Sequence, residues 1–176
     1  MRNWLRTGSI LLSLAAAAML LAPPSHADGK KFKATLNGKH EVPDPRKTPA
    51  EGDLQLVLSE DGQQLSYKLT VRGIGNPVFA NIHLGAGFAN GPPVLTLYPT
   101  EKNPLKPKGP FEGVLAEGVL TAADLLGPLT GGTLLELVEE MDANNSYVNV
   151  HTDDGVEPIN TGPGDFPNGE IRGPIR

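Results

Sequence analysis

The sequence predicts an all-β domain, a β-sandwich or open barrel with Greek-key connections. Three observations carry that expectation. About eight short segments alternate apolar and polar residues with the period of two that a half-buried strand requires. Glycine and proline are frequent, 21 and 17 of 176 residues, a density that suits many turns between short strands. Helical spacing is confined to one late stretch, where it reads as a crossover.

Taken in order, Lys31 to Leu36 alternates as a first strand. The loop NGKHEVPDPRKTPAEG follows, rich in proline, glycine and charge. Leu54, Leu56 and Leu58, the turn EDG, and then Leu65, Tyr67, Leu69 and Val71 form a hairpin with one buried face. After Gly75-Asn76-Pro77, VFANIHLG places Val78, Ala80, Ile82 and Leu84 on one face and Phe79, Asn81 and His83 on the other. Val94 to Tyr98 and Gly113 to Leu120 are further strands, separated by the loop EKNPLKPKGP. Thr121 caps a short helix over Ala122 to Leu126. Thr133 caps another over Leu134 to Met141, where Leu134, Leu137, Val138 and Met141 keep i, i+3, i+4, i+7 spacing. SYVNVHT then turns Val148 and Val150 inward and Tyr147, Asn149 and His151 outward, and the last strand runs from Glu170 to Ile175.

At the start of the chain, Arg2 and Arg6 precede the apolar run Ile10 to Leu21, and Ser25-His26-Ala27 fits a small-x-small cleavage site. Residues 1–27 therefore read as a secretory signal peptide; the run is about 12 residues, short of the roughly 20 that span a bilayer. The mature part, 28–176, is a single domain. It contains no cysteine, so its core must hold without disulfides and no cysteine is available for a lipid anchor. Loss of Arg2 and Arg6 shifts the formal charge from −5 to −7, which disfavours nucleic acid and anionic membrane surfaces as partners.

Catalytic signatures are sparse: no cysteine nucleophile, no G-x-S-x-G, no H-E-x-x-H and no phosphate-cradling loop opening a helix. What stands out is Asn-x-His written twice, in ANIHLG and YVNVHT. If those strands are neighbours, His83 and His151 meet on one sheet face as half of a zinc or copper site. Asp153, Asp154, Asp165 and Glu170 are the nearby carboxylates able to add ligands, and Asn81 and Asn149 would hydrogen-bond the ligands from behind. The competing reading keeps both histidines neutral and structural, bonded to a neighbouring strand or loop. His40 reads as a solvated loop histidine. Glu170 and Arg172, two apart on the last strand, share a face, with Arg172 bracing a loop or pairing with a carboxylate.

The pieces LNGKHEVP, NIHLG, NGPPV, YVNVHT and NGEIRGPI, in that order, with LSEDGQQLSYKL between the first two, give a chain that resembles the CHRD (chordin) domain family from about Phe32 to Ile175. The resemblance implies an immunoglobulin-like or superoxide-dismutase-like Greek-key β-sandwich, secreted, and acting by binding; in animals such domains belong to an extracellular antagonist of bone morphogenetic proteins. Where the family usually has His-x-His, this chain has Asn81 and His83, which weakens a metal site because Asn is a poor transition-metal ligand. Two further departures are Pro174 in place of Gln, which suggests a strand edge or end, and a longer segment from Asp153 to Pro167.

The expectation is thus an exported, periplasmic or extracellular module that binds an extracytoplasmic protein or glycan without catalysis. The alternative is a copper- or zinc-binding, redox-active site at His83 and His151. An enzyme acting on envelope polysaccharide rests only on secretion and scattered carboxylates.

Overall fold

The structure, a computed structural model, describes residues 29–86 and 89–176; the signal peptide read in residues 1–27 lies outside them. Alternating sequence becomes strand as expected: β1 (Lys31–Asn37), β2 (Glu51–Leu58), β3 (Leu65–Gly75), β4 (Pro77–Leu84), β5 (Pro93–Tyr98), β6 (Pro110–Leu120), β7 (Ser146–Thr152) and β8 (Ile171–Pro174), with one α-helix, α1 (Leu134–Asp142). All pairings are antiparallel, in the order β5-β4-β7-β8-β1-β2-β3-β6. The nearly closed sheet folds into two halves, β6-β3-β2-β1 and β8-β7-β4-β5.

The halves join where β8 meets β1, through the pair Asn37 and Arg172 and reciprocal backbone bonds between Lys33 and Arg176. That join requires Gly173, because a Cβ there would lie 2.5 Å from the Thr35 carbonyl oxygen. The chain passes between halves three times, from β3 to β4 through Asn76 alone and from β5 to β6 and β6 to β7 by longer connections, which gives the Greek-key character. Leu36, Leu54, Leu56, Leu69, Ile82, Leu95, Leu97, Val148, Val150 and Ile171 fill the interior. Each such side chain contributes about 1.5–3 kcal/mol by burial, an upper bound set by the compactness of real unfolded chains.

Three local expectations change. The segment after Thr121 is a single 3-10 turn, Ala122–Asp124, not a helix to Leu126; Gly127 and Pro128 follow at once and start another short turn. Glu170 lies outside the last strand, which begins at Ile171 and ends at Pro174. The outward face of β7 is not solvated: Tyr147 and Asn149 are buried and His151 half-buried, because loops cover that face. By contrast, α1 starts where expected and runs one residue past Met141, with Thr133 accepting from the Glu136 amide and Glu136 accepting from the Thr133 amide.

Candidate functional site

β4 and β7 are neighbours, with Asn81 opposite Asn149, His83 opposite Tyr147 and Phe79 opposite His151. Because the strands run antiparallel, the two Asn-x-His motifs point in opposite directions. The histidines flank the asparagine pair, and the stations they occupy lie about 13 Å apart along the strands, four residues at roughly 3.3 Å each. His83 stacks on Tyr147, ring centroids 4.9 Å apart and planes 14° from parallel.

Loops fix both imidazoles. His83 Nδ1 bonds the Gly91 carbonyl at 2.9 Å, and His151 Nδ1 bonds the Pro167 carbonyl at 2.8 Å. A carbonyl only accepts, so in each ring Nδ1 carries the hydrogen and Nε2 keeps its lone pair, an assignment that follows from the network. Both Nε2 atoms and Asn149 Oδ1 are buried without a hydrogen-bond partner. Burial depresses both histidine pKa values below the ordinary range; the Gly91 and Pro167 carbonyls act the other way, as the Asn149 side chain does on His83, while His151 and Arg172 push His83 further down. Both imidazoles are therefore neutral at pH 7. Asn81 is partly exposed.

The loop over His83 is held from β8. Arg172, 2% exposed, donates to Asn90 Oδ1 at 2.7 Å and to the Ala89 carbonyl at 2.8 Å, and its guanidinium lies over the Tyr147 ring. Arg172 thus holds this loop, while Glu170 takes its hydrogen bonds from Thr48, Thr152 and Gly164. His40, read as solvated, is half-buried in a 3-10 turn, where its Nδ1 donates to the Arg172 carbonyl at 3.1 Å. Asn90 in turn donates to the Val42 carbonyl. Gly91 permits the tight return of this loop, since a Cβ there would overlap the Leu84 carbonyl.

Glu41, 3% exposed and with Oε1 unpartnered, is acted on by the charges of Arg172 and Arg46. Burial pushes its pKa up to about 7, against the two arginines. Nothing in the polar stretch KHEVPDP marks this residue as buried, because its cover is Gly169, 128 residues away in sequence. Glu170, fully buried, accepts from Thr48, from Thr152 at 2.6 Å and from the Gly164 amide at 2.9 Å; its carboxylate fastens loops and is not available to an ion.

Asp153 and Asp154 do not join the histidines. They gather with Asp165, one oxygen of each within 4.8 Å of the others, and among the described residues this is the one group of three acidic or histidine side chains close enough to hold an ion. The chemistry open to the histidine layer is therefore acceptance, by two lone pairs and an amide oxygen, of a water's hydrogens or of a cation.

A family model for the CHRD domain matches residues 32–175. The chain belongs to the CHRD domain family. Neither a curated protein nor a solved structure matches it. The CHRD match spans every strand from the second residue of β1 through β8, so the histidine layer, the Arg172 brace and the acidic loop all lie within the family domain. Among the described residues no helix is long and apolar enough to cross a membrane.

Proposed function

We propose that this CHRD domain is exported to the periplasm or extracellular space and acts there as a non-catalytic binding or envelope structural module, with a protein or glycan as its partner. The observation that supports this reading is the use to which its reactive side chains are put. Glu170 is taken up by two hydroxyls and an amide, Arg172 by a loop and a ring, and the free nitrogens of His83 and His151 are covered. Groups so engaged serve positioning, and recognition is left to the surface. Mass determination of the exported chain tests the first half: a mature start at Asp28 agrees with it, and a retained residue 1–27 segment argues against export by cleavage. Turnover by the purified chain that vanishes in His83→Ala or His151→Ala contradicts the second half.

One observation favours a second reading, a copper- or zinc-binding and redox-active site. Nδ1–H on a backbone carbonyl with Nε2 free is the arrangement in which metal-bound histidines are held, and both histidines have it. The Asn149 and Asn81 positions lie between them. Against it stand the positive charge of Arg172 near His83 and the separation of Asp153 and Asp154 into another cluster. Calorimetric titration with zinc and copper beside His83→Ala and His151→Ala separates the two readings.

A further inference from the structure

We propose that Asp153, Asp154 and Asp165 form a calcium site, separate from the histidine layer. Asp165 is 2% exposed. Its Oδ2 accepts from the Thr161 amide and hydroxyl, both at 2.8 Å, while Oδ1 is buried with no partner. A buried carboxylate oxygen left without a donor carries a desolvation cost that a cation removes. One oxygen of each of the three aspartates lies within 4.8 Å of the others, and Oδ1 is the Asp165 oxygen left for an ion.

The donor set selects the ion. Three carboxylates with neither histidine nor cysteine suit a hard cation, and Ca²⁺ accepts carboxylate, carbonyl and water oxygens in flexible geometry, where Mg²⁺ demands a near-ideal octahedron. Asp153 and Asp154 each use one oxygen to accept from an amide two residues on, Gly155 and Val156. Lys108, the ammonium at this rim, donates to the Asp154 carbonyl and not to a carboxylate. A bound ion would tie the start of the loop after β7 to its end, next to Phe166 and Pro167, which anchor Thr152 and His151.

The test uses the full chain, stripped with chelator and titrated with Ca²⁺ alone by calorimetry and by thermal unfolding. The expected result is one ion per chain with Kd in the ~10⁻⁴–10⁻³ M range of extracellular modules, and a Tm that rises with Ca²⁺ concentration. Asp153→Asn and Asp154→Asn, at the partly exposed rim, should each weaken binding by about tenfold or more through loss of ligand charge and keep the circular dichroism of the parent. Asp165→Asn should bind least, but it also alters the Thr161 contacts, so the rim variants carry the decision. His83→Ala should leave Ca²⁺ affinity unchanged, which separates this site from the histidines. Absence of both heat and Tm shift at Ca²⁺ on the order of 10 mM, ten times the weak end of that range, overturns the proposal, as does undiminished uptake in both rim variants.

Discussion

Arg172 lies over Tyr147, its guanidinium carbon 3.4 Å from the ring centroid. The two residues stand on neighbouring strands, and the guanidinium edge that the ring leaves free reaches Ala89 and Asn90. One side chain therefore joins β8, β7 and the loop that covers His83. Arg172→Ala removes two charge-assisted hydrogen bonds and a cation–π contact, and leaves Glu41 without the stronger of its counter-charges. The expected loss is about 3 kcal/mol, the size typical of breaking a buried charged network by removing one partner. Arg172→Lys should recover only part of it, because an ammonium cannot fork to two acceptors while lying on a ring. Urea denaturation of the three proteins measures both.

Glu41 makes stability fall with rising pH. Its carboxyl has a folded pKa of about 7 against an ordinary value of 4.5, raised by burial, so between those values the folded chain holds a proton that the unfolded chain has released. The contribution is fully present below the unfolded value and lost as pH rises through about 7. At 1.36 kcal/mol per unit the full span is on the order of 3 kcal/mol. Glu41→Gln should abolish this slope, so the stability difference between variant and parent should grow from pH 5 to pH 8 and level off above. A difference that is flat with pH contradicts it.

The histidines act with the opposite sign. Burial lowers the folded pKa of His83 and of His151, so the unfolded chain takes up protons first as pH falls through 6.5. Their contribution is present above 6.5 and lost as pH drops toward the folded values. In the double variant His83→Gln with His151→Gln, the loss of stability on acidification below pH 6.5 should be smaller than in the parent. Measurement in the Glu41→Gln background isolates the effect.

The seam between the two halves depends on an absent side chain. Gly173→Ala would place a methyl carbon 2.5 Å from the Thr35 carbonyl oxygen and 2.8 Å from its carbon, both backbone atoms with no rotamer to adopt. Separation of β8 from β1 should cost roughly 3 kcal/mol, the upper end of overpacking effects. Amide exchange in Lys33, the residue bonded to Arg176 across the seam, should speed up more than exchange in Leu56, which lies between β1 and β3.

Much of this architecture is legible in the sequence because alternation specifies side. Leu54, Leu56, Leu65 and Leu69 declare the hairpin and its buried face, and Thr133 with Glu136 declares the start of α1. The adjacency of β4 and β7 makes Asn81 and Asn149 partners. Alternation does not specify what covers a face. Tyr147, Asn149 and His151 read as outward and are outward, yet the loop through Ala89 to Gly91 and the segment at Pro167 close over them through contacts that no local pattern encodes, such as Asn90 to Val42 and Arg46 to Gly169. The same limit hides Glu41, whose polar neighbours suggest solvent. Strand direction is equally silent: parallel motifs would have set His83 against His151, and the antiparallel pairing sets His83 against Tyr147.

Calorimetric titration of the metal-free chain with Zn²⁺ and Cu²⁺, run beside His83→Ala and His151→Ala, bears most directly on the role of the histidine layer. The predicted result is no stoichiometric uptake that depends on either histidine, as expected of neutral imidazoles held by Gly91 and Pro167 for positioning alone. Tight binding of one ion per chain, lost in both variants, would contradict that role and make the layer a metal centre.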